Sequence, residues 1–153
     1  MPNPDRPTLH LTNWSSPKLH GPGRKLTIMA RPRAWEVGEG TVIDLAPQSG
    51  DFTTAMMIQA LAERGTAEGE VSMHRYKTAM ESRWQIKELA LGPRHLLWIA
   101  PPGMGGGMVS NVHDGDTLCC ACAKGVECHR RWAAPFLVRA GWRVILDGVE
   151  VVL

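Results

Sequence analysis

The sequence predicts an α/β fold, with one domain built on a small, mostly parallel sheet flanked by helices. Three observations point there. Short β-branched apolar runs alternate with longer segments of helical period. The clearest unit, residues 116–148, reads strand, loop, helix, strand, the order of a parallel crossover. A length of 153 residues, 44% hydrophobic and 21% charged, suits a single domain with its own core, and no repeat or composition break divides it.

The elements follow in chain order. Residues 1 to about 24 form a loop-rich segment of proline, glycine and polar groups, with one brief extended stretch, TLHLTNW (8–14), and a turn at GPGR (21–24). KLTIMA (25–30) is a buried strand that Pro32, lacking a ladder donor, cannot prolong. TVIDLA (41–46) is the next, stopped by Pro47. The period then changes to that of a helix. Asp51 is its N-cap, Phe52, Met56, Ala60 and Leu61 share its apolar face, and Gly65 ends it. A second amphipathic helix is expected from near Ser72 to about Gly92, with Met73, Tyr76, Met80 and Trp84 on its stripe. RHLLWIA (94–100) is a strand, residues 101–115 are a long loop, and Asp114 and Asp116 flank the turn at its end. Its Gly103–Gly107 stretch lacks the strand and helix context of a dinucleotide cradle. DTLCCAC (116–122) is a strand, HRRWAAPFLVRAG (129–141) a helix, WRVILDG (142–148) a strand and VEVVL (149–153) an edge. Trp132, Ala133, Phe136, Leu137 and Ala140 make that helix one-sided. Pro135 fits it only if the helix starts near Arg130 or Arg131, placing the missing donor close to the first turn.

A net charge of +2 argues against binding polyanions through bulk charge and leaves room for a local basic site. The first residues carry no apolar core of a signal peptide, and no apolar run is long enough to span a bilayer. The expectation is a cytoplasmic chain with reduced thiols and no membrane partner.

The four cysteines, Cys119, Cys120, Cys122 and Cys128, fall within ten positions and run straight into His129, Arg130 and Arg131. Strand alternation sends Cys120 and Cys122 to one side and Cys119 to the other, where it reads as a small core filler. Ligands in α/β units gather where strands end and helices begin, so Cys120, Cys122, Cys128, His129 and Arg130 are expected to face one crevice.

An apolar strand ending in Leu118-Cys119-Cys120, then a loop, then Cys128-His129-Arg130 opening a helix, resembles the hallmark of the family called domain of unknown function 488. TNWSS (12–16), TIMARPRAW (27–35), LAP (45–47) and HRYKTAM (74–80) are similar to further segments of that family. Cys122 stands where its members carry an acidic residue, a feature similar to a second uncharacterised family with Cys-x-Cys before Cys-His. The resemblance implies a fold and a site in a small bacterial or phage protein. It implies no reaction.

Three readings of the cluster stay open. In the first, Cys120, Cys128, His129 and Arg130 form a catalytic thiol–imidazole site. The helix N-terminus and the arginines would favour a thiolate or an anion, and His129 would move protons. Arg31, Arg33, Trp35 and Arg131 would then bind the ligand, with Trp35 stacking on a base, which points to a nucleotide-like or nucleic-acid partner. In the second, Cys120, Cys122, Cys128 and His129 hold zinc in an interaction protein without catalysis. In the third, the thiols are buried packing and His129 is a cap. The sequence leaves the cofactor, the oligomeric state and the substrate open.

Overall fold

The computed structural model describes residues 6–29, 38–42, 45–46, 52–88, 98–100, 110–120 and 129–153. The strands are β1 (Thr8–Asn13), β2 (Lys25–Thr27), β3 (Thr41–Val42), β4 (Trp98–Ala100), β5 (Ser110–Asn111), β6 (Thr117–Cys120), β7 (Arg143–Leu146) and β8 (Val149–Glu150). They form one sheet in the order β5-β4-β3-β2-β6-β1-β7-β8. From β3 to β7 every pairing is parallel, and antiparallel pairs are confined to the margins, at β3–β4, β4–β5 and β7–β8. The fold is α/β with a mostly parallel sheet, as the alternation predicts.

Register divides the side chains by face. Leu9, Leu11, Leu26, Leu118 and Val144 share one face, with Asn13 and Cys120 paired at its end. Among the described residues three helices serve it: α1 (Phe52–Ala62), α2 (Ala67–Glu88) and α3 (His129–Arg139). Tyr76, Met80 and Trp84 of α2 and Trp132, Ala133, Phe136 and Leu137 of α3 join the sheet residues in one core, which Met56 and Met57 of α1 also reach. The α2 and α3 stripes are those the sequence predicts. Leu61 departs from the α1 stripe, being 43% exposed.

The opposite face is polar, yet Thr12, Thr27, Thr117 and Cys119 on it are buried. Against Thr117 and Cys119 lies the proline- and glycine-rich chain of residues 14–24. After a 3-10 turn at Pro17–Leu19, Gly21 N donates to Thr117 Oγ1 (2.7 Å) and His20 Nε2 donates to Asn13 O (3.0 Å). Lys25 Nζ donates to the carbonyls of Gly21 and Gly23. A Cβ on Gly21 would run into the His10 ring and come within 2.7 Å of Gly115 O, so this close approach requires glycine. The stretch expected as a short extended piece, β1, is the longest strand among the described residues and lies between β6 and β7.

Other boundaries differ for local reasons. Helix α2 begins at Ala67 rather than near Ser72, because Thr66 Oγ1 accepts from Gly69 N (3.0 Å) as an N-cap, with Glu68 and Glu70 in the first turn. Helix α3 begins at His129, which puts Pro135 in the second turn rather than the first, where its ring removes a helical donor. β5 lies inside the span expected to be all loop; two residues carry no readable period. Asp147 (φ 48°) and Gly148 (φ 85°) form the two-residue turn between β7 and β8, with both residues left-handed as a type I′ hairpin requires. At the N-terminal end of the sheet, Asp114 Oδ1 accepts from Thr8 N (2.6 Å). Asp51, Pro47 and the Gly103–Gly107 stretch lie outside the described residues. Among the described residues no helix is long and apolar enough to cross a membrane.

Candidate ligand crevice

β6 and β1 are adjacent and parallel, and their chains leave in opposite directions. The chain leaving β1 crosses the polar face to reach β2, as the Gly21–Thr117 and His20–Asn13 contacts show. The chain leaving β6 returns through α3, on the apolar face, to β7. In open α/β sheets such a divergence at the carboxyl ends of the strands is the usual ligand position.

The side chains gathered there follow from register. Cys120 ends β6 on the apolar face, opposite Asn13 at the end of β1. Arg130, one residue into α3, is fully buried. Its Nη1 donates to Cys120 Sγ at 2.8 Å and its Nη2 to Asp147 Oδ2 at 3.2 Å. β6 and β7 flank β1, so a guanidinium that reaches both spans the end of β1. His129 Nε2 donates to Ile28 O, just past β2, at 2.7 Å; a carbonyl only accepts, so the proton resides on Nε2. The His129 ring also lies 6.4 Å from Tyr76, which packs edge-on to Trp132 at 5.1 Å. The start of α3 is thereby moored to the ends of β2, β6 and β7.

Cys119 faces the other way, its Sγ 4.0 Å from His20 Nε2. Burial first, and then the neighbouring Cys120, push its thiol up to about 12, against the smaller opposing pull of Lys25 and Arg130. It is neutral at ordinary pH and inert, in keeping with the packing role that alternation predicts. Cys119 and Cys120 are not joined in a disulfide.

Of the residues singled out from sequence, Cys120, His129 and Arg130 come together, and Arg131 is exposed on the first turn of α3. Arg31, Arg33, Trp35, Cys122 and Cys128 lie outside the described residues. Arg130 is paired with Asp147 beneath the helix, and His20, in the segment between β1 and β2, lies against Asn13 and Cys119.

Sequence reasoning missed Thr12, Asn13 and Asp147. Thr12 is 1%, Asn13 5% and Asp147 8% exposed. Thr12 Oγ1, Asn13 Oδ1, Asp147 Oδ1 and the neighbouring Trp14 Nε1 are buried atoms with no hydrogen-bond partner among the described residues. Asn13 was legible as a polar side chain closing a strand, whereas Asp147 was masked by its fitness for an Asp-Gly turn.

Among the described residues no group of three His, Cys, Asp or Glu could hold a metal ion. Of the sequence's zinc set, Cys120 accepts from the Arg130 guanidinium and His129 gives its Nε2 proton to Ile28 O, which leaves Nδ1 as the nitrogen able to bind a metal. No family model, no curated protein and no solved structure matches the chain.

Proposed function

We propose that this crevice binds a nucleotide-like or nucleic-acid ligand and that Cys120 is its reactive group. The observation that carries the reading is the Cys120–Arg130 contact at 2.8 Å, at the point where the chains leaving β1 and β6 part. A guanidinium donor suits a sulfur that bears negative charge, the form in which cysteine is nucleophilic. Arg131, exposed at the N-terminus of α3, adds positive potential where a phosphate would dock. Arg130 and His129 act as positioning residues, fixing the sulfur and the helix start. Kinship with the domain of unknown function 488 and a cytoplasmic, bacterial or phage setting agree with this reading and belong to the same proposal.

Zinc bound by Cys120, Cys122, Cys128 and His129 is the rival, and elemental analysis of protein purified without chelator separates the two. The ligand reading expects no stoichiometric zinc. It expects calorimetric binding of a ribonucleotide or a short oligonucleotide that weakens about tenfold or more in Arg131→Glu, the size of one charge-assisted contact. Stoichiometric zinc together with no binding by the wild type would overturn it.

A further inference from the structure

We infer that Asn13 and Asp147 form a hydrogen-bond-accepting floor in this crevice, reading a pair of donors on the ligand: the vicinal hydroxyls of a ribose or the amino edge of a base. The inference rests on the ligand reading above and specifies which part of the ligand faces the sheet.

Both side chains are more than nine-tenths buried, and each keeps one oxygen, Asn13 Oδ1 and Asp147 Oδ1, with no partner among the described residues. They sit at the ends of neighbouring strands: Asp147 N donates to Leu11 O, placing it beside the last residues of β1. The Arg130 guanidinium lies across the same strand end, held by Cys120 on one side and Asp147 Oδ2 on the other. The Arg130 Nη groups are so engaged, and the acceptors Asn13 Oδ1 and Asp147 Oδ1 stand near two donors, Arg130 Nε and Trp14 Nε1. Two such oxygens repel a phosphate and attract N–H or O–H groups. A nucleotide satisfies both ends, with its phosphate toward the start of α3 and its donors toward Asn13 and Asp147. Buried acceptors left unmatched in the empty protein carry a cost that a ligand with matching donors removes.

The test uses the full chain and calorimetry. The four ribonucleoside monophosphates are titrated first. The tightest is then compared with its 2′,3′-dideoxy analogue and, where its base bears an amino group, with the analogue lacking it. Loss of the donors that are read should weaken binding about tenfold or more, and that loss should vanish in Asn13→Ala. The dideoxy arm identifies ribose, the base arm the amino edge. Asn13→Ala should also leave the melting temperature of the ligand-free protein unchanged or raised, because the atom removed has no bond among the described residues. A lowered melting temperature would mean that Asn13 serves the structure, and the inference fails. It fails as well if Asn13→Ala binds the parent nucleotide as tightly as wild type, an outcome that leaves the broader ligand reading intact. If the wild type binds neither a mononucleotide nor a short oligonucleotide, both fail together.

Discussion

The pair Arg130–Asp147 offers a sharp energetic test. Arg130 is fully buried and the Asp147 side chain is 9% exposed, at 3.2 Å. With an effective dielectric of about 20, Coulomb's law gives roughly 5 kcal/mol of attraction at that distance. Breaking such a pair from one side typically costs about 3–5 kcal/mol, whereas replacing both partners with neutral groups of similar volume is often nearly neutral. Asp147→Asn is the suitable single change, since asparagine tolerates the left-handed backbone at this turn (φ 48°). Arg130→Met preserves most of the buried length. Each single variant should lose about 3–5 kcal/mol in urea unfolding, a shift of roughly 6–20 °C in a domain of this size. The double variant should lose clearly less than the sum, with a coupling energy of at least about 1.5 kcal/mol. Strict additivity, or single losses below about 1 kcal/mol, would show that the two side chains do not hold α3 to β7 as described.

Further expectations follow from burial and close approach. Because the Cys119 thiol is pushed up to about 12 from an ordinary 9.0, the folded state keeps a proton that the unfolded state has lost. The advantage of wild type over Cys119→Ala should hold below pH 9 and shrink by up to about 1.4 kcal/mol per pH unit above it, which urea melts at stepped pH would record. His10 is held below its usual 6.5, by burial first and then by Lys25 and Arg143 against the pull of Asp114. Stability should therefore fall as the medium is acidified below 6.5, and His10→Gln should flatten that slope; an unchanged slope contradicts the assignment. Gly38→Ala should cost about 2 kcal/mol or more by thermal melting, since at φ +57° its Cβ would strike Lys25 O and come within 2.8 Å of the Trp14 ring.

What was legible in the sequence was whatever rests on periodicity. Tyr76, Met80 and Trp84 announce the buried stripe of α2, and Trp132, Phe136 and Leu137 that of α3, because helical spacing alone sets which side chains meet the sheet. The meeting of Cys120 with Arg130 was likewise legible, from a strand ending and a helix opening in one crossover. The strap of residues 14–24 was not. Its role depends on Gly21 and His20 finding Thr117 and Asn13, contacts between distant positions that leave no local pattern. Nor could spacing show that Arg130 would be neutralised by Asp147, whose Asp-Gly context has a sufficient local explanation as a turn.

The two ends of the sheet bear on the ligand position proposed above. At the N-terminal end, Asp116 is 2% exposed and both its oxygens are bonded. Oδ1 accepts from Arg24 N (3.0 Å), and Oδ2 accepts from Arg24 Nη2 (2.8 Å) and His113 N (2.8 Å). The chain thus surrounds a buried carboxylate with donors where only the fold is at stake. At the C-terminal end, Asp147 is almost as buried and has one oxygen bonded and one bare, with Asn13 Oδ1 bare on the next strand. Each bare atom costs about 1–3 kcal/mol, a sizeable part of the 5–15 kcal/mol by which domains are typically stable. Burial is similar at both ends, so low accessibility does not account for the difference. On the ligand reading proposed above, the missing donors of Asp147 and Asn13 arrive with the ligand, whereas Trp142 Nε1, the unmatched atom at the start of β7, is itself a donor.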